Sequence, residues 1–540
     1  MTTDILTGIR VLDLSRMLSG PYCTMMLADH GAEVIKIEGA QGDTSRTNGP
    51  YREDDPERLW AGYFVSLNRN KKSIRLDLKS EPGKAAFRAL AATADVIVEN
   101  FRPGVMDRLG LSYESLAEAN PKLVYAAIRG FGDPRTGASP YADWPSYDVV
   151  AQAMGGVMAI TGPDADTPTK VGPGVGDIFT GLVMSFGIMA ALREAEATGK
   201  GQFTDVAMYD AMISLCERAT YLHDMTGAVP GPEGNGHPFL APFGVLPATD
   251  GAIALGIVDD TFWRVLAQIM GQPELGTDPR YATRAARAIR RADVNRIVGD
   301  WTAQHDKSAL TDLLGGKVPY GPLNTVEDIF ADPHVVARGM LVQIDHPSPG
   351  GKPWTVSANP LRFAGHPEKG YAPPPALGEH DAMLACSARQ ARAAKDTLAL
   401  RGALETVPTG VAVMTMRLAD GTPCGFTVNS ITAITLDPPL LLVCVPKSAA
   451  DCDAIAGADQ FAISVLTDDQ TDVPSLFASR SAGKFSQIDW YEGHGGIPLL
   501  GGTLCTFACA RHNLIDAGDH LVLIGRVLAL ERPKFEQSTL

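Results

Sequence analysis

The stretch 170–192, KVGPGVGDIFTGLVMSFGIMAAL, constrains this chain more than any other part of it. From Ile178 onward it carries no charge before Arg193, which predicts an apolar helix, and its glycines and length leave it short of the ~20 residues that cross a bilayer. Ahead of the helix, Gly172, Gly174 and Gly176 punctuate a loop that ends on Asp177. Glycines in that place let a ligand approach the backbone, and the free N–H groups of a first helical turn favour negative charge. A carboxylate so placed is expected to stay ionised at neutral pH and could act as a nucleophile. The competing reading is an ordinary helix cap, because Asp is a favoured N-cap residue.

The remainder of the chain sets the class. At 540 residues it exceeds one core, and roughly two to four domains are expected. A net charge of −15 argues against nonspecific nucleic-acid binding, although locally clustered cations could still hold a polyanionic cofactor. Eight cysteines without a C-x-x-C or a paired Cys/His spacing predict reduced thiols and no metal site. The N-terminus has neither a basic n-region nor an apolar h-region. A cytoplasmic protein with no membrane partner is the expectation.

Residues 9–14 read as a strand, 21–30 as a helix and 33–37 as a second strand, an opening of the nucleotide-binding kind. The turn SRMLSGP lacks G-x-G-x-x-G, so the usual dinucleotide mode is unsupported. Further strands at 95–98 and 123–128 end in polar residues, where ligands bind in doubly wound sheets. Basic residues gather in this part: Arg16, Lys36, Arg69, Lys71, Lys72, Arg75, Arg102 and Arg108. They suit the phosphates of coenzyme A, or else form an ordinary solvated face.

The blocks VLDLSRMLSGPYCTMMLADHGAEVIKIE, LNRNKKSIRLDLKS, ADVIVENFRPGVMDRLGL, YDVVAQAMGG, TGKGQFTDVAMYDA and VPYGPLNTVEDIFADPHVVARGM, with the Asp177 stretch among them, follow one another in order. Residues 1 to about 385 thereby resemble the family III CoA-transferases, a group that includes formyl-CoA transferases, carnitine CoA-transferases and α-methylacyl-CoA racemases. The resemblance implies a Rossmann-like large domain with a small α+β domain in an interlocked homodimer. It implies attack on the acyl-CoA thioester by the aspartate matching Asp177, and CoA contacts near Lys36, Arg75 and Arg108, with Arg16, Arg102 and Tyr147 also at the site. It further implies a glycine loop over the site, with Gly231, Gly234, Gly236 and His237 as candidates. Leu18 stands where formyl-CoA transferases have glutamine, which speaks against formyl or oxalyl specificity. Tyr147 precedes Asp148 where racemases have a histidine, which removes one of the two proton carriers that racemisation needs.

Residues 1–225 are expected to form the first part of the large domain, 226–330 the small domain, 331–380 the return to the large domain and 381–406 a helical linker. The many arginines of TDPRYATRAARAIRRADVN are expected on a solvated face. From 407 to 540 the character changes to short strand-like runs, at 411–416, 424–428, 440–445, 461–466 and 520–530, separated by turn signals. This all-β segment, with VPTGVAVMTMRLADGTPCGFTVNSITAITLDPPLLLVCVPKSA, FAISVL and GDHLVLIGRV, resembles the flavin reductase-like FMN-binding split barrel. The resemblance implies FMN or FAD held by Thr427, Asn429, Ser430, Lys447 and Ser448, with His520 near the nicotinamide side. It also implies one strand beyond those the sequence supplies. The readings carried forward are an acyl-CoA:carboxylate CoA-transferase with a flavin-binding module, a flavin reductase whose large domain only binds acyl-CoA, and a racemase-type isomerase.

Overall fold

Short apolar runs bounded by turns build the first sheet. Arg10–Asp13 (β1), Glu33–Glu38 (β2), Lys71–Arg75 (β3), Val96–Glu99 (β4), Val124–Arg129 (β5) and Phe203–Ala207 (β6) pair in parallel in the order β3-β2-β1-β4-β5-β6. This is the Rossmann order. A parallel sheet is covered on both faces, so its strands are apolar at successive positions. Val11, Val34, Val96 and Val124 pack with the helices Ser19–Ala28, Val175–Thr198 and Met208–Leu215. Their neighbours Leu12, Ile35, Ile97 and Tyr125 turn to the other face, against Phe87 and Leu90 of the helix Glu81–Ala91.

The structure is a computed structural model that describes residues 4–347, 350–366, 370–384, 410–418, 420–447, 457–479, 483–518 and 520–532. It divides into two compact units, Met1–Thr397 and Leu398–Leu540. The expected linker 381–406 lies outside the described residues from 385 onward.

Val175–Thr198 is the one helix among the described residues long and apolar enough to cross a bilayer, and in this fold it is a core helix. Met184, Ile188 and Leu192 are buried against the sheet. Gly181 lets it cross the helix Ser19–Ala28 closely, because a Cβ there would lie 2.4 Å from the Ser19 carbonyl oxygen. The helix ends at Gly199, whose φ of 75° only glycine adopts freely.

A second cluster surrounds the antiparallel strands Phe243–Ala248 (β7), Gly251–Gly256 (β8) and Tyr320–Pro322 (β9), where Trp263, Leu266, Val294 and Leu310 are buried. One arginine of the arginine-rich stretch departs from the expected solvated face. Arg287 is fully buried, donating to the carbonyls of Ala241 at 3.1 Å, Tyr281 at 3.0 Å and Ala282 at 3.3 Å, and to Asp260 at 3.0 Å. Its fixed fork fastens loops that aliphatic residues could not hold. The chain then forms the hairpin Leu341–Ile344 (β10) and Trp354–Ser357 (β11) and returns to the sheet edge, where His380 N–H donates to the Ser73 carbonyl at 2.9 Å.

The second unit is antiparallel. Ala412–Arg417 (β12), Pro423–Val428 (β13), Ile431–Leu436 (β14), Pro439–Pro446 (β15), Gln460–Val465 (β16), Cys505–Ala517 and His520–Glu531 form one seven-stranded sheet. Its two edge strands, β13 and β14, are consecutive in sequence and joined only through Asn429 and Ser430, so the sheet curls until its edges meet at that corner. Bulges at Ala508/Cys509, Arg511/Asn513 and Ala433/Thr435 supply the curvature. Trp490–Glu492 and Pro498–Leu500 form a small separate pair.

Candidate active site

In this strand order β1 and β4 are neighbours whose onward connections leave in opposite directions, which opens a crevice beyond their carboxyl ends. The crevice measures 580 Å³. Arg16 and Ser19 reach it from the loop after β1, Asn100 and Arg102 from the loop after β4, and Tyr63, Tyr147, Asp148 and Asp177 close it.

Asp177 is the third residue of its helix. Gly174 occupies the N-cap and no side chain caps the end, so Asp177 is not a helix cap. Burial, then the neighbouring charge of Asp148, push its pKa up to about 6, opposed by the Ser19 hydroxyl, which favours the ionised form. With a pKa of about 6 the carboxylate is still mostly ionised at pH 7, as expected, with the margin narrowed by burial.

Asp148 opens the helix Asp148–Met154. It accepts the Gly176 N–H at 2.8 Å and both oxygens accept from Gln152 Nε2, at 3.0 and 2.9 Å. Lys170 Nζ stands 3.5 Å away. Gln152, fully buried, accepts the Val171 N–H at 3.0 Å. These two side chains pin the glycine loop, and a Cβ on Gly176 would come within 3.1 Å of Asp148. Sequence reasoning did not single out Ser19, Asn100, Asp148 or Gln152. The available signal was the i,i+4 spacing of Asp148 and Gln152 on one helix face.

The loop after β1 holds a strained residue. Met17 has φ of 66°, a left-handed conformation that costs a non-glycine residue about 1–3 kcal/mol. Asn100 clamps Arg16 beside it, accepting its N–H at 2.9 Å and donating to its carbonyl at 2.8 Å. Asp43 accepts the Met17 N–H at 3.2 Å.

Lys36, expected at coenzyme A, lies beneath the crevice with no exposure; its Nζ is 2.9 Å from Asp43 and donates to the Ser15 carbonyl at 2.8 Å. Burial opposes its charge, but Asp13, Asp43 and Glu38 outweigh it and hold its pKa above the ordinary lysine value. Lys71, considered for a solvated face, is likewise buried on Asp13, the Pro21 carbonyl and Asn68. Arg75 turns to Asp381, 2.8 Å away, and lines neither this crevice nor the next.

An adjoining crevice of 410 Å³ has apolar walls, including Leu14, Ile37, Leu76 and Phe101, with Arg16, Lys79 and Arg108 among its lining. Arg16 borders both crevices, its guanidinium 5.5 Å from the Phe101 ring centre. The glycine loop lies elsewhere. Gly234 N–H donates to the Gly162 carbonyl at 3.1 Å, His237 joins Phe239 and Phe243, and Gly234, Gly236 and His237 do not border the Asp177 crevice of their own chain.

In the second unit, the flavin candidates collect at one rim. Ser430 exchanges two hydrogen bonds with the Cys444 backbone, both 3.1 Å, and Thr427 donates to the Pro474 carbonyl at 2.6 Å, so both hydroxyl protons are already committed. Lys447 pairs with Asp516 at 2.7 Å, Asn429 is exposed, and half-buried His520 faces Pro446 across the sheet. Ser448 lies outside the described residues.

Fold and crevice define an α/β enzyme that presents a carboxylate at the sheet's crossover, joined to an antiparallel β domain. Residues 6–381 match the model of CoA-transferase family III and residues 404–539 that of the flavin reductase like domain. The chain belongs to CoA-transferase family III. It is 45% identical over 379 residues to a succinyl-CoA:mesaconate CoA-transferase of Haloarcula hispanica, covering 70% of this chain and 95% of that one. It is 41% identical over 388 residues to a succinate–glutarate CoA-transferase of Agrobacterium fabrum, covering 70% and 94%. A crystal structure of a CAIB/BAIF family protein from Brucella suis, 38% identical, superimposes with a TM-score of 0.63 over 72% of this chain and all of that one.

Proposed function

We propose that the first unit transfers coenzyme A between carboxylic acids through a covalent intermediate on Asp177. The observation that carries this reading is the placement of Asp177, half-buried, beside Ser19 in the crossover crevice and open to it. Its carboxylate attacks the thioester carbonyl carbon, forming a mixed anhydride and releasing the CoA thiolate. The thiolate then attacks the Asp177 carboxyl carbon, freeing the first acid and leaving an aspartyl-CoA thioester. The acceptor acid reverses these steps, and the thioester's energy is retained throughout. Gly176 N–H is spent on Asp148, so this amide does not serve the oxyanion.

The adjoining crevice suits the nucleotide end of coenzyme A, with Arg108, Lys79 and Arg16 for its phosphates and aliphatic walls for its adenine. The named relatives act on succinyl-CoA with mesaconate and on succinate with glutarate, which supports dicarboxylates as substrates here. Phe186, 78% exposed, Leu182, Val183 and Met189 form an apolar stripe along the outer face of the helix Val175–Thr198. That stripe supports a homodimer, in which the partner's glycine loop would be free to cover the site. Cys23, Cys216 and Cys509 are buried thiols outside any disulfide, which suits the cytoplasm.

The second unit is read as a flavin-binding module, FMN or FAD, on the family match of residues 404–539. When bound, a flavin supplies hydride and single-electron chemistry. Asn429 and Lys447 could donate to its phosphate, since the exposed Lys447–Asp516 pair costs little to exchange. Thr427 and Ser430 would instead shape the rim.

The test is to incubate the protein with succinyl-CoA, trap with hydroxylamine and map the product by mass spectrometry. A hydroxamate on Asp177, absent from Asp177→Asn, is expected. No adduct, together with exchange of an α-proton of a branched acyl-CoA into solvent, would move the reading to an isomerase.

A further inference from the structure

The buried pair Lys36–Asp43 has no contact with the crevice, yet it holds the loop that lines it. Both side chains are essentially inaccessible and 2.9 Å apart. Lys36 Nζ donates to the Ser15 carbonyl at 2.8 Å, and Asp43 Oδ1 accepts the Met17 N–H at 3.2 Å and the Ser45 N–H at 2.9 Å. The pair therefore grips the backbone on both sides of Arg16. At the second of those grips Met17 is left-handed, a conformation that persists in a non-glycine residue only when its surroundings dictate it. Two residues on, Ser19 starts the next helix and lines the crevice together with Asp177, its Oγ accepting from Asn100 Nδ2 at 3.5 Å.

We propose that Lys36 and Asp43 are positioning residues: they force Met17 into its left-handed turn, and that turn sets Arg16 and the Ser19 hydroxyl at the crevice that Asp177 lines. This rests on the nucleophilic reading of Asp177. It gives the lysine and the aspartate a role in the reaction without a contact to substrate, which separates them from Arg16 and Arg108.

Glycine adopts this backbone conformation without help, so the turn can be freed from its clamp. The double variant Lys36→Met/Asp43→Ala removes both charges together and leaves no lone buried ion of the pair. Its CoA-transfer kcat is expected to fall at least about tenfold, and its acid limb to move to higher pH as the Ser19 hydroxyl, which favours the ionised form of Asp177, is displaced. Adding Met17→Gly should recover about fivefold or more and return the limb. Wild-type kcat in the double variant, or no recovery on adding Met17→Gly in a folded protein, overturns the proposal. If the double variant does not fold, Met17→Ile takes its place: a β-branched residue resists this conformation, and an unchanged kcat there is equally fatal. Failure of the nucleophilic reading is visible separately, as the absence of a trapped adduct on Asp177 in the wild type.

Discussion

Asp148 Oδ1 accepts the Gly176 N–H at 2.8 Å, one residue before Asp177, so the charge that helps to raise Asp177 is fixed to the loop that presents it. Burial and this charge together place the Asp177 pKa at about 6. The thioester-attacking form is the ionised one, so transfer activity is expected to fall as pH drops through that value. Asp148→Asn preserves the shape and removes the charge. Its acid limb in kcat/KM should move down by roughly 0.5–1 pH unit, leaving the burial contribution in place. A limb that does not move would assign the shift to burial alone.

Asp177 also bears on stability. Its folded pKa of about 6 lies above the ordinary 3.8, so the folded state holds the proton more tightly than the unfolded chain. Stability is consequently lost as pH rises from about 4 to 6, and the full penalty is present above 6. Asp177→Asn should therefore stabilise the protein at pH 7 by about 1–2 kcal/mol, a figure reduced from full linkage because the carboxylate is only half-buried. The gain should vanish below about pH 4 in urea titrations at the two pH values.

The parallel sheet and the apolar helix were legible because both are written in continuous hydrophobic runs, and Asp177 stands out at the head of one. What Lys36 does was not legible. On a strand covered on both faces, polar and apolar positions do not alternate, so nothing in VIKIE marks the lysine as buried. Arg287 was hidden for a related reason: among several arginines, helical spacing does not show which one meets unpaired carbonyls. The loop around Met17 is held by Asp43, 26 positions from Met17, and by Asn100, 84 positions from Arg16, and local pattern cannot register clamps of that range.

Arg287→Lys should be nearly as damaging as Arg287→Met. A single ammonium cannot satisfy the carbonyls of Ala241, Tyr281 and Ala282 together with Asp260, and each group left without a donor in the interior is costly. A loss of about 2–4 kcal/mol is expected for either variant in chemical unfolding followed by tryptophan fluorescence, since Trp263 stacks 5.2 Å from the guanidinium. A loss below about 0.5 kcal/mol for Arg287→Lys would show that the fork is dispensable.

The exposed stripe on the core helix gives the next prediction. Phe186→Glu places a charge at the centre of Leu182, Val183 and Met189 without touching the buried face of the helix. If this face joins two copies, light scattering should show a shift from dimer to monomer at micromolar concentration, and transfer activity should fall with it, while the monomer's helical content stays unchanged. A variant that remains dimeric at wild-type strength would move the interface to another surface.

At the rim of the second unit, the hydrogen bonds divide the flavin candidates into two groups with opposite expected behaviour. Thr427 already donates to Pro474 at 2.6 Å, so Thr427→Val should cost stability, about 1 kcal/mol, and leave FMN affinity within about twofold. Among the described residues Lys447 is held only by the exposed Asp516, and Asn429 is open to solvent, so both are available to a phosphate. Lys447→Ala and Asn429→Ala should each weaken FMN binding about tenfold, roughly 1.4 kcal/mol, with little change in melting temperature. Quenching of flavin fluorescence on titration with the protein measures the affinity, and thermal unfolding of the same samples measures the melting temperature. If Thr427→Val abolishes binding while Lys447→Ala does not, the threonine hydroxyl must leave Pro474 for the ligand, and the flavin phosphate sits on the β13 side of the corner.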